Sequence, residues 1–87
     1  MNFIVVWATL AKEQLTRLLA DPELQMDVIR AFYRVEAILG YFPDQVGESR
    51  GTNKRIVIET PLTVYYRIDR ANKLVRILRV LVPNQEP

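Results

Sequence analysis

The chain contains no cysteine and no histidine. The first absence excludes a disulfide framework, a thiolate metal site and a cysteine nucleophile. The second removes the side chain that most often serves as general base near neutral pH and as metal ligand. A zinc site would have to be built from carboxylates alone, so no metal and no cofactor is expected. Glycine is scarce, with three among 87 residues, and no glycine-rich phosphate loop is present. No apolar run approaches the roughly 20 residues of a membrane span. The opening Phe3 to Leu10 stretch follows no basic segment and leads to no small-residue cleavage site, so the expected location is the cytoplasm. No internal repeat and no linker divides the chain, which predicts a single domain over residues 1–87.

Charge is present but unevenly placed. The net charge is +2, yet residues 1–49 carry −3 and residues 50–87 carry +5. Such asymmetry suits a face that attracts polyanions. It also suits strand cations that guard exposed sheet edges.

Hydrophobic periodicity divides the chain into two kinds of segment. Residues 2–7 (NFIVVW) are a short, almost continuous apolar run of β-branched and aromatic side chains, which predicts a buried strand. Thr9 is the expected N-cap of a first helix over 9–20, whose apolar face is Ala11, Leu15, Leu18 and Leu19. Asp21-Pro22 reads as N-cap and N1 of a second helix over 22–39, with Gly40 as its left-handed C-cap. The connection is so short that the two helices must form an antiparallel hairpin. Residues 40–53 read as a loop. Strands are predicted over 54–60, 62–69 and 73–82, separated by Thr60-Pro61 and by Asp69-Arg70-Ala71-Asn72. The last strand is apolar on both faces, so it should lie inside the sheet and pair with the first. The expected fold class is α+β, β-α-α-β-β-β, with a mainly antiparallel four-stranded sheet on an α-helical hairpin.

Alternation then sorts the strand residues. Ile56 and Ile58 share one face and Arg55 and Val57 the other. In the last strand Arg76 falls with Leu74 and Leu78, toward the helices, unless a bulge rotates it out. Arg79 falls on the opposite face with Val75 and Ile77. Val57, Val75, Ile77 and Leu81 are then the exposed apolar remainder, a groove for a partner or a dimer. Arg50, Lys54 and Arg55 lie within six residues beside two glycines and read either as a phosphate-contacting cluster or as a solvated loop plus an edge cation. Tyr65 and Arg67 share a face, where Tyr65 either stacks a base or pairs across strands.

The order of elements, with GESRG at 47–51, RIVIETPLTVYYRID at 55–69 and LVRILRV at 74–80, resembles the RelE/ParE superfamily of bacterial type II toxins. The resemblance covers nearly the whole chain. It implies a basic sheet surface and a cognate antitoxin that wraps the toxin. It implies a target in translation, through ribosome-dependent mRNA cleavage, or in DNA gyrase. In the RNA-cleaving members a Lys/Arg cluster neutralises the scissile phosphate without a metal, and the 2′-hydroxyl is the nucleophile. Carried onto this sequence, the resemblance points to Arg50, Lys54 and Arg55 as the catalytic candidates, with Arg67, Arg79 and Tyr65 as binding candidates. The sequence departs from the family pattern at Thr63, where nucleases often have Arg. It departs again at the Pro83-Asn84-Gln85-Glu86-Pro87 tail, where they continue with basic or aromatic residues. The catalytic set is therefore incomplete, and a non-catalytic binding module of the same fold is the alternative.

Overall fold

A computed structural model describes residues 2–83. Five strands and two helices follow in the order β1 (Ile4–Trp7), α1 (Thr9–Leu19), α2 (Gln25–Tyr41), β2 (Glu48–Ser49), β3 (Lys54–Glu59), β4 (Leu62–Asp69) and β5 (Leu74–Leu81). They form one sheet of strand order β1-β5-β4-β3-β2. Among the described residues only β1 and β5 pair in parallel; the other pairs are antiparallel. The architecture is the expected α+β one with a fifth strand, because two residues of the 40–53 loop pair with Arg55 and Ile56.

Both helices cover the same face of the sheet. The core joins Ala11 of α1 and Val28, Ala31, Val35 and Leu39 of α2 to Val57, Leu62, Val64, Tyr66, Ile68, Val75, Ile77, Val80 and Val82. The stripe predicted for the first helix from 3.6-residue periodicity faces this core: Ala11 is within it, and Leu15, Leu18 and Leu19 pack against it. Trp7 closes one end, with its ring 5.3 Å from that of Phe32 and its Nε1 donating to Glu36 Oε2 at 2.8 Å.

Several local expectations shift. Ala8, not Thr9, occupies the N-cap of α1 and supplies no side-chain bond. Residues 22–24 form a turn, and α2 begins at Gln25. Asp21 still organises that turn: its carboxylate accepts from the Glu23 amide at 2.9 Å, and its carbonyl accepts from Leu24 and Gln25. Gly40 is not a left-handed cap but lies within α2, which runs one residue further to Tyr41. Its carbonyl accepts from the Phe3 amide at 2.7 Å, tying the start of β1 to the end of α2. The departures expected in residues 84–87 lie outside the described residues.

The main correction concerns the faces. Val57, Val75 and Ile77 are buried under the helices, at 7, 0 and 0% exposure. They do not form an exposed groove. The face of β3 is set by pairing, since Val57 stands opposite Val64 of the buried row and Ile58, at 69% exposure, stands opposite Thr63. In β5 a bulge intervenes: Tyr65 pairs with Arg79 but Tyr66 pairs with Ile77, leaving Leu78 as the extra residue. One inserted residue reverses the alternation. Val75 and Ile77 face the helices before it, and Val80 and Val82 after it. Arg76 and Arg79 therefore both stand on the uncovered face, and both are exposed. The Val80 amide, two residues after Leu78, donates to Gln14 Oε1 of α1 at 2.8 Å.

Candidate functional site

The uncovered face carries a row of basic side chains. Lys54 stands opposite Arg67 and Arg67 opposite Arg76. The Arg50 amide donates to the Lys54 carbonyl at 2.7 Å, which extends the row by one residue beyond the end of β2. Arg50, Lys54, Arg67 and Arg76 thus cross the sheet in sequence, all exposed. With strands ~4.8 Å apart, the row is roughly 14 Å long. Among the described residues Lys54, Arg67 and Arg76 make no ion pair, whereas Arg50 contacts Glu48 Oε2 at 3.0 Å. Like charges directly opposite one another destabilise a sheet. In Lys54, Arg67 and Arg76 that repulsion is not offset by an ion pair among the described residues.

The neighbouring row is Ile56, Tyr65 and Arg79. The Arg79 guanidinium lies 4.9 Å from the centre of the Tyr65 ring, a cation–π contact. Tyr65 is therefore engaged with its cross-strand partner, and the exposed member of the pair is the guanidinium. Beyond it the face becomes apolar: Ile58, Thr63 and Leu81 stand in register. Ile58 and Thr63, with Thr60, Pro61, Val82 and Pro83, line a hollow of about 310 Å³.

Arg55 does not join the row. It alternates with Lys54, so its side chain lies on the helix side. There its Nε donates to the Val46 carbonyl at 3.0 Å and its Nη2 to the Gly47 carbonyl at 3.1 Å. Its cross-strand partner is Tyr66, wholly buried, whose hydroxyl lies 2.8 Å from the Pro43 carbonyl and 3.0 Å from that of Val46. Burial pushes the Tyr66 hydroxyl above the ordinary tyrosine range, against the opposing effect of the Arg55 guanidinium. Gly47 has φ +71°, and a Cβ there would run into the Ile56 carbonyl, so the segment passes β3 too closely for any side chain. Arg70 pairs with Asp44 and hydrogen-bonds Asn53, pinning both ends of the same region.

Of the six residues singled out from sequence, Arg50, Lys54, Arg67, Tyr65 and Arg79 come together on one face and Arg55 lies behind it. Arg76 is the member that alternation misplaced. Its signal was the spacing: two arginines three apart in an otherwise apolar strand can both be solvated only if a bulge lies between them. At the open end of this face the turn after β4 is fixed by Asp69, which accepts from the Asn72 side chain at 2.9 Å and amide at 3.1 Å. Those bonds hold its carboxyl below the usual range. Among the described residues no three His, Cys, Asp or Glu converge as metal ligands would.

Neither a protein-family model nor a curated protein matches this sequence. Solved structures do match. A chain of the RelBE2 toxin–antitoxin complex from Mycobacterium tuberculosis superposes with a TM-score of 0.74 at 25% identity, covering 94% of this chain and 92% of that one. The chain has a RelE/ParE-like toxin fold. A chain of the chromosomal ParDE toxin–antitoxin system of P. aeruginosa gives 0.69 at 18% identity, over 90% and 92% of the two chains. One from the archaeal RelE–RelB complex of Pyrococcus horikoshii OT3 gives 0.68 at 18%, over 99% and 100%. In this RelE/ParE-like frame Thr63 is nearly buried, at 9% exposure, between Ile58 and Leu81. No helix among the described residues is long and apolar enough to cross a membrane.

Proposed function

We propose that the chain is the toxin component of a toxin–antitoxin system and acts by holding a nucleic acid on its uncovered sheet face. The observation that carries this reading is the row Arg50, Lys54, Arg67 and Arg76, whose last three members lack ion pairs among the described residues. Phosphates would lie along that row, with the Arg79 guanidinium presented to a neighbouring base. The cations would stabilise charge developing on a phosphoryl group, a role that needs no proton transfer by the protein. The partner is a cognate antitoxin that covers this face, and the target is mRNA on the ribosome. Gyrase is the other target that the sequence resemblance implies.

A second reading is favoured by one observation. The end of the face where Thr63 stands, beside Ile58 and Leu81, is largely apolar. On that ground the fold would serve association alone, with an antitoxin or another protein. Induced expression separates the two. Growth arrest with mRNA cut within codons is expected of the first reading. Arrest with DNA breaks redirects it to gyrase, and unimpaired growth with intact mRNA refutes it in favour of the second.

A further inference from the structure

The segment that carries Arg50 into the cation row is held from the opposite side of the sheet. Its contacts there are the hydrogen bonds of Arg55 to Val46 and Gly47 and of Tyr66 to Pro43 and Val46. Arg55 and Tyr66 are direct cross-strand partners, so the two groups act on the same stretch of backbone. From Gly47 the chain has only Glu48 and Ser49 before Arg50, and these two residues are the whole of β2. A two-residue edge strand has too few ladder bonds to fix its own position. The brace behind it adds to the hold that Arg70 has on Asp44. We propose that Arg55 and Tyr66 are positioning residues that seat Arg50 opposite Lys54, and that Arg55 itself touches no phosphate. This rests on the reading of the outer face as a nucleic-acid surface.

The physical reason is geometric. The Arg55 guanidinium is a planar fork that reaches two successive carbonyls, which a lysine ammonium cannot reproduce in the same plane. The Tyr66 hydroxyl has one proton to give, and its alternatives, Pro43 and Val46, both belong to the braced segment. Loss of either group loosens the stretch from Val46 to Arg50, Asp44 staying paired with Arg70, while the core beneath keeps its apolar contacts. Arg50 then samples positions away from Lys54, and the row is shortened by one charge.

The test uses the full chain and a fluorescent single-stranded oligoribonucleotide, with affinity measured by anisotropy across a salt series. Circular dichroism at the assay temperature establishes that each variant is folded. Arg50→Gln is expected to weaken binding about fivefold and to reduce the log–log salt slope by ~0.7, the value of one lost phosphate contact on a single strand. Tyr66→Phe and Arg55→Lys are expected to reproduce both effects, although Arg55→Lys keeps the charge. Adding Arg50→Gln to either is expected to change nothing more. A purely structural role would lower the unfolding temperature and leave the salt slope unmoved. Full additivity of Arg50→Gln with Tyr66→Phe, or parental binding by folded Tyr66→Phe and Arg55→Lys, overturns the proposal while leaving the nucleic-acid reading intact. If Arg67→Gln also binds like the parent, both fall together.

Discussion

Arg67 should be more useful to binding than to folding, and its replacement by methionine separates the two. It stands between Lys54 and Arg76 in register, and among the described residues no carboxylate is paired to it. Methionine keeps most of the side-chain stem and removes only the charge. Cross-strand Cβ atoms are ~5 Å apart, and splayed charges settle at ~6 Å. In water Coulomb's law gives ~0.7 kcal/mol of repulsion per pair at that distance. Screening leaves ~0.6 kcal/mol of it at 0.01 M salt and ~0.1 kcal/mol at 1 M. With two neighbours, Arg67→Met should stabilise the fold by ~1 kcal/mol at low salt and by ~0.2 kcal/mol at high salt. For a domain of this size that is an increase in unfolding temperature of ~4–8 °C at low salt, shrinking to about one degree at high salt. Thermal unfolding followed by circular dichroism at the two salt concentrations measures it. The same variant should bind the oligoribonucleotide more weakly. A lower unfolding temperature at 0.01 M salt, or a shift that is the same at both concentrations, would show that the row is not under electrostatic strain.

Other outcomes follow from the core and the titrating groups. Leu39→Ala, at a wholly buried position in α2, should cost ~2–5 kcal/mol in urea unfolding, a large share of the stability of a small domain. Because the folded pKa of Tyr66 lies above its unfolded value, its contribution is fully present below about pH 10 and is lost as pH rises through the folded pKa. Tyr66→Phe should therefore be less stable by ~1–2 kcal/mol at neutral pH, from the lost hydroxyl bonds, yet decline less steeply in alkali. The Asp69 carboxyl is depressed instead, so its contribution is present above about pH 4 and is lost as pH falls through the folded value. Asp69→Ala should lower the urea midpoint at neutral pH and flatten its fall in acid.

Much of the fold was legible because each element satisfied a local rule. Ala11, Leu15, Leu18 and Leu19 could only mark one side of a helix, and Leu62, Val64, Tyr66 and Ile68 only one face of a strand. The site was legible in part for the same reason: Arg67 and Tyr65 alternate with that buried set. Two elements defeated local reasoning. In β3 both faces hold apolar residues and a cation, so nothing inside Arg55-Ile56-Val57-Ile58 says which face turns inward. In β5 the period itself breaks at Leu78, and a period-two reading carries the error to every residue on one side of the break.

The sequence by itself determined the kinds of element and their order, and which chemistry is absent. Without cysteine or histidine, and with its cations gathered in the closing strands, the chain was already a basic sheet under a helical hairpin. Those properties depend on neighbours within a few residues. Which cations stand together was decided only by the tertiary structure. Arg76 joins Lys54 and Arg67 because pairing with β4 places one extra residue in β5. Arg55 leaves them because it sits behind β3, among carbonyls of a segment eight and nine residues away. Strand register and a bulge arise from contacts between distant parts of the chain, and a one-residue shift in either moves a charge from one face to the other.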